Sequence, residues 1–200
     1  GILYTFATYR PAEGFSVVEA LFVLVEIPGA VLAIYLTMDV VAGERDRNTL
    51  EVLFATSSSH YRIWAFRLGC VFAILGLMLQ TMTAASYILF AELPIVAGAW
   101  NAFLPAAAFA SLTFCFSVVF RSSNAAGMGA LGGLMIVLLS HDALSGTAYA
   151  VFLSPFDIPM GTSDALWDDR GIFNRLGIFV VGVVLAALGL RGMERRERLL

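Results

Sequence analysis

The sequence predicts an all-α integral membrane protein with five transmembrane helices. Hydrophobic residues occupy 60% of the 200 positions and charged residues only 14%, whereas soluble domains contain roughly 45–50% apolar and 25% charged residues. The mean hydropathy is +0.85. Because one span needs about 20 apolar residues, this composition supplies about five spans and leaves little chain for a soluble domain.

Two long apolar runs predict the first two spans. Residues 15–41 form the first run, which contains Glu19 and Glu26 but is long enough to cross a bilayer at a tilt. Residues 63–89 form the second run. The polar stretch 42–62 separates them, so the chain turns back through the membrane after a short connection.

Three further apolar runs lie in the second half of the chain. Residues 100–120 and 125–139 predict the third and fourth spans, and residues 172–190 predict the last. Residues 140–171 hold apolar clusters that are too short to cross a bilayer and too apolar for a solvated loop. Because irregular backbone at membrane depth is tolerated where protein covers it, we expect re-entrant helices in this segment.

The distribution of arginine predicts the orientation. All 12 basic residues are arginines, and eight of them fall in residues 42–62, in the turn after the third span and in the C-terminal tail. Positive residues near span ends stay on the cytoplasmic side, which places the tail and residues 42–62 in the cytoplasm and Gly1 outside. The first sixteen residues lack the features of a signal peptide, so we expect a further upstream span, six in the parent protein.

Glu19 and Glu26 are ionisable residues at membrane depth, where such groups are costly and commonly functional. They are seven residues apart and share one helix face within about 20°, which makes them candidates for a polar stripe along a translocation path. In the alternative interpretation, Glu19 sits at the outer interface and Glu26 pairs with a polar group on a neighbouring helix beside the helix break at Pro28.

Ala125, Gly129 and Gly133 recur every four residues in the fourth span. Small residues at this spacing let membrane helices approach closely. We therefore expect helix packing along this face, either within the chain or against a second subunit.

A short amphipathic helix is predicted at residues 44–56, between the first two spans. Leu50, Leu53 and Phe54 are spaced i, i+3, i+4 and share one face, while charged residues supply the opposite surface. A helix of this kind can lie at the lipid interface or dock on a partner protein.

This segment resembles the cytoplasmic loop of ABC-2 type transporter permeases. The family pattern runs roughly Glu, three residues, Gly-Thr-Leu-Glu, one residue, Leu-Leu, two residues and Pro. The positions that match are Glu44, Thr49, Leu50, Glu51, Leu53 and the threonine before the proline, Thr56. The positions that depart from it are Asn48, Phe54 and Ser57, in place of glycine, leucine and proline.

The resemblance implies a permease subunit of an ABC exporter, with a coupling helix that docks on a separate ATP-binding subunit. The ATPase-coupling residues that it implies are Glu44, Thr49, Leu50, Glu51, Leu53 and Phe54. It also implies a second permease subunit, identical or paralogous, in a bacterial cytoplasmic membrane, and it leaves the exported substrate open.

No catalytic residue and no cofactor site is assigned to this chain. Without a lysine it cannot supply a P-loop lysine, so ATP and Mg²⁺ are expected in the partner subunit. The sequence has no Gly-x-Ser-x-Gly or His-Glu-x-x-His motif. Cys70 and Cys115 lie in apolar runs as small hydrophobes, and His141 with Asp142 gives too few ligands for a metal site. The net charge of −3 argues against nucleic-acid binding.

Two other functions stay open on this sequence. One is a non-transporting structural subunit that keeps the permease fold inside a larger membrane complex. The other is a channel or secondary transporter that uses Glu19 and Glu26 without ATP.

Overall fold

Every regular element among the described residues is a helix, which confirms the all-α prediction. The computed structural model describes residues 21–40, 43, 60–89, 95–120, 122–144, 147, 149–153 and 164–196. The helices are α1 (Phe22–Met38), α2 (His60–Leu89), α3 (Ile95–Val119), α4 (Ser123–Leu144) and α5 (Asp164–Arg196).

Four of these helices, α2 to α5, are long and apolar enough to cross a membrane. They indicate an integral membrane protein. The shorter apolar helix α1 covers the inner part of the first predicted span, and residues 15–20 lie outside the described residues. The count of five spans, or six in the parent protein, stays a prediction.

Helix α1 begins with a π-helical turn, Phe22–Glu26, and continues as an α-helix over Ile27–Met38. Pro28 stands two positions after the end of that turn. A proline lacks the amide hydrogen and crowds the carbonyl four residues earlier, and the wider π turn accommodates both effects. Such π turns occur frequently at functional sites, and here the turn ends at Glu26.

Helices α4 and α5 extend beyond the apolar runs that predicted them. Helix α4 continues to Leu144, and α5 already begins at Asp164, so both occupy part of the segment for which re-entrant helices were expected. Trp167 explains the early start of α5, because it is 4% exposed and packs on Ala150 and Leu153. The described residues between the two helices, 147 and 149–153, form turns, a bend and irregular backbone, and the rest of that segment lies outside the described residues.

Helix α3 is central and contacts each of the other four helices. One of its faces carries Ala102, Ala106 and Ala110, all fully buried against α1 and α2. Lipid tails are as apolar as leucine, so helices in a membrane associate through close packing rather than hydrophobic burial. The small alanine side chains on this face of α3 allow such close packing.

The contact between α3 and α5 depends on glycines of α5. A Cβ at Gly189 would lie 2.6 Å from Cδ1 of Phe114, and one at Gly192 would lie 2.9 Å from Cγ1 of Val118. At Gly182 the nearest atom would be Cα of Ala108, at 3.6 Å. These positions bring the backbone of α5 directly onto α3.

Candidate functional site

Glu26 is the most deeply buried carboxyl group among the described residues, with 3% of its surface exposed. It stands at the end of the π turn in α1, and its partner is Asn101 on α3. The Asn101 side-chain amide donates to Glu26 Oε1 over 2.9 Å. A buried acidic group without such a donor is strongly destabilising, so the amide makes this position tolerable.

Arg175 on α5 reaches the same asparagine from the other side. Its Nη2 group donates to Asn101 Oδ1, and its Nη1 group donates to the Asn101 backbone carbonyl over 3.2 Å. Pro105 makes that carbonyl available, because a proline has no amide hydrogen to give to the residue four positions earlier. Arg175 therefore fills the gap that Pro105 leaves in the hydrogen bonding of α3.

The connection before α5 is tied to the same group of residues. Arg175 also donates to the backbone carbonyl of Leu153, and the Asn174 side-chain amide donates to the carbonyl of Ala150 over 2.8 Å. Irregular backbone at membrane depth needs internal partners for its polar groups. These two side chains of α5 provide them.

Asn101 thus bridges a carboxyl group and a guanidinium group, and we name Glu26, Asn101 and Arg175 the polar triad. The triad joins α1, α3 and α5 near the ends that face residues 149–153. Its members link three helices through side-chain hydrogen bonds, which is the chemistry of a structural tie. Ionisable groups inside membrane helices commonly pair with one another in this way.

A second polar cluster ties the opposite ends of the helices. The Ser117 hydroxyl donates to the carbonyl of Met38 over 3.2 Å, and the Ser123 hydroxyl donates to the same carbonyl over 3.1 Å. Ser123 also bonds to the carboxylate of Asp39. The last carbonyls of a helix lack partners within the helix, and these two serines supply donors for one of them, the Met38 carbonyl of α1.

No protein-family model, no curated protein and no solved structure matches the chain.

The predicted coupling helix lies outside the described residues, and so does Glu19. The coupling residues in question are Glu44, Thr49, Leu50, Glu51, Leu53 and Phe54. The chain on either side of them is described. Val40, after α1, and Trp64, in the first turns of α2, belong to one apolar cluster with Val118 and Met193.

The small residues predicted for packing divide between two environments. Gly129 faces the rings of Phe116 and Phe120, where an added Cβ would come within 3.2 Å of both, and Gly133 faces Leu112 at 3.4 Å. Both therefore pack on α3 of the same chain. Ala125 is exposed.

His141 stacks on the ring of Phe22, with the ring centroids 4.6 Å apart. This contact packs α4 against the π turn of α1. No group of three or more His, Cys, Asp or Glu side chains that could hold a metal ion occurs in the described part of the chain.

Asn101 and Arg175 were not among the site residues predicted from the sequence. Arg175 is an arginine inside the apolar run 172–190, and an arginine at membrane depth is a functional signal by itself. Pro105 gives a second signal, because a proline within a span leaves the carbonyl four residues earlier in need of a donor. Together, the two signals point to Arg175 as the donor and to the Asn101 carbonyl as the acceptor of one hydrogen bond.

Proposed function

We propose that this chain is the permease subunit of an ABC-2 type exporter, driven by separate ATP-binding subunits. The resemblance of residues 44–56 to the coupling segment of that family is the starting point. The observation that carries the proposal is the apolar cluster in which Val40 and Trp64 meet. Both chain ends that flank the segment are anchored in one place, so a force on the segment reaches α1 and α2 together.

The charges at this end of the molecule support the orientation that docking requires. Arg62 and Arg191 are exposed there, and the Arg67 guanidinium lies 5.1 Å from the centre of the Trp64 ring. Positive residues mark the cytoplasmic side, where ATP-binding subunits work. Residues 44–56 and the C-terminal tail are cytoplasmic in this proposal.

The polar triad gives the proposal its mechanism. In this proposal the coupling helix docks through Leu50, Leu53 and Phe54 and moves with the ATP-binding subunit. Its movement shifts α1 along the surface of α3. Helix α1 carries Glu26 at its far end, where Asn101 links it to Arg175 of α5. Packed helices move as rigid bodies, so movement at the cytoplasmic end changes the spacing of α1, α3 and α5 at the outer end.

The first test is the replacement Leu50→Asp. A carboxylate on the docking face is expected to abolish association with the ATP-binding subunit, because burial of an unpaired charge in an interface is strongly unfavourable, while membrane insertion is kept. Asn48→Asp is the matched control, since it adds the same charge about 200° around the helix. Association is measured by affinity purification in mild detergent and quantitative mass spectrometry.

The wild-type purification distinguishes the competing functions. A P-loop ATPase at equal stoichiometry supports the exporter, whereas other membrane subunits in its place support a structural subunit of a larger complex. Ion flux through liposomes that contain this chain alone supports a channel or secondary transporter. Retained ATPase association in Leu50→Asp would contradict the docking face.

A further inference from the structure

A cleft of about 750 Å³ lies between α3 and α5 beside the polar triad. It is open towards the side of the bundle, because Trp100, Ile172, Leu176 and Phe179 on its margin are each more than half exposed. In an integral membrane protein such a surface faces lipid. A molecule that occupies this cleft can therefore enter from the bilayer.

The sequence of α5 explains why the cleft is there. Arg175, Gly182 and Gly189 are spaced by seven residues, so they follow one stripe of the helix. The two glycines bring α5 onto the backbone and rings of α3. At position 175 the helices do not touch through a glycine. The long side chain of Arg175 bridges to Asn101 there, and the space beside this side chain stays open.

Arg175 has donors that the polar triad does not use. A guanidinium group carries five N–H donors, and three of them go to the two oxygens of Asn101 and to the carbonyl of Leu153. The Nε–H and one Nη1–H have no acceptor among the described residues, and Arg175 lines the cleft. Each of them can donate one charge-assisted hydrogen bond to a phosphate oxygen.

The charges and apolar residues along the cleft follow a definite order. Asp168 lines the cleft one heptad before Arg175, about 10 Å nearer to the start of α5. Beyond Arg175, towards the middle of the span, Leu176, Phe179 and Leu104 line it. The order of carboxylate, guanidinium and apolar wall matches the order of ammonium, phosphate and acyl chain in a zwitterionic phospholipid.

The charges favour a zwitterionic ligand over an anionic one. An anionic amphiphile on Arg175 would meet the carboxylate of Asp168 on one side and, across Asn101, that of Glu26 on the other. A headgroup with one phosphate and one ammonium places its positive group on Asp168 instead. The volume of the cleft lies within the range of about 300–1,000 Å³ for small-molecule sites.

We propose that this cleft binds one zwitterionic glycerophospholipid, with its phosphate on Arg175, its ammonium on Asp168 and an acyl chain along Leu176 and Phe179. This site does not depend on the exporter proposal, because it needs only α3, α5 and a bilayer. A lipid in this position fills the gap between two helices that the polar triad holds together.

Native mass spectrometry of the full chain in mild detergent tests the site. The protein is mixed with equal amounts of phosphatidylethanolamine and phosphatidylglycerol that carry identical acyl chains. The wild type is expected to retain phosphatidylethanolamine about fivefold more strongly. Asp168→Asn is expected to reduce that preference about 2- to 5-fold, the usual effect of one exposed ion pair, whereas Asp169→Asn, an exposed neighbour outside the cleft lining, leaves it unchanged.

A second pair of variants tests the cleft itself. A Cβ at Gly171 meets nothing within 4 Å, and Gly171 lines the cleft, so Gly171→Leu is expected to fill it and to lower retention of both lipids at least about tenfold. Gly177→Leu is the matched control, because that position is equally open but lines a separate groove. Equal retention of the two lipids by the wild type, an unchanged preference in Asp168→Asn, or full retention in Gly171→Leu would overturn the proposal.

Discussion

Asn101 is the residue on which the polar interior of this molecule depends. Its side chain donates to Glu26 and accepts from Arg175, and its backbone carbonyl accepts from Arg175 as well. An amide offers both donors and an acceptor on one uncharged side chain. A carboxylate, which only accepts, or a lysine, which only donates, would match one of the two neighbours.

Glu26 gives a prediction at the scale of one residue. Glu26→Ala leaves the Asn101 amide and the Arg175 charge without their partner, and loss of one member of a buried pair costs about 3–5 kcal/mol. Glu26→Gln keeps an acceptor for Asn101 and removes only the charge, so we expect a clearly smaller loss. The free energy of unfolding is measured by denaturant titration in mixed micelles.

Thr113→Val serves as the control for Glu26. The Thr113 hydroxyl is equally buried but donates to Phe109 in its own helix, over 2.7 Å, so its removal is expected to cost less than about 1.5 kcal/mol. If Glu26→Ala proved as mild as Thr113→Val, the triad would not tie the helices together.

At the scale of the element, α5 is a helix with two different halves. Its second half packs through Gly182, Gly189 and Gly192, and its first half contacts α3 through the side chains of Asn174 and Arg175 and the connection before them. One half is therefore held by van der Waals packing and the other by hydrogen bonds.

Gly189→Ala tests the packed half of α5. An added methyl would lie 2.6 Å from the Phe114 ring, and such overpacking costs about 1–3 kcal/mol. Gly177→Ala, in open space on the same helix, is expected to stabilise by about 0.5–1 kcal/mol, because alanine is the better helix former. Thermal unfolding in detergent measures both variants, and a shift of the same sign in the two would contradict the assigned contact.

The helices were largely predictable from the sequence, because an apolar run long enough to span a bilayer has few conformations other than a helix in which its backbone polar groups are paired. Their ends were less so: α5 begins eight positions before its apolar run, since Trp167 packs into the core from a polar neighbourhood. Within the polar triad, Glu26 stood out by its charge at membrane depth, and Arg175 carries a signal of the same kind. Their link through Asn101 was not predictable, because a sequence does not show which residues 75 or more positions from Glu26 lie next to it.

At the scale of the whole molecule, the two polar clusters lie at opposite ends of the bundle. The triad joins α1, α3 and α5 at one end, and Asp39 with Ser117 and Ser123 joins α1 to the α3–α4 turn at the other. Helix α1 is thus fixed near both ends by side-chain hydrogen bonds.

The orientation of the molecule gives a whole-molecule prediction. Asp169 and Arg191 are both exposed on α5, and their separation of 22 positions spans about 33 Å of helix, close to the thickness of a hydrocarbon core. In a chain whose Cys70 and Cys115 are replaced by alanine, we expect Asp169→Cys to react with an impermeant maleimide on intact cells, and Arg191→Cys only after permeabilisation.

The reverse pattern would place residues 44–56 outside the cell and rule out docking on a cytoplasmic ATPase. Labelling of both positions on intact cells would contradict the crossing of the membrane by α5.

The separation of the triad along the chain has a consequence for biosynthesis. Arg175 is made 74 residues after Asn101, which at about 5–20 residues per second takes roughly 4–15 seconds. During that interval the Asn101 carbonyl, which Pro105 leaves without a donor in α3, has no Arg175 to bond. Glu26 is present without its counter-charge. The nascent bundle thus carries open polar groups until the ribosome completes α5, and only the finished chain presents a membrane domain with those groups paired.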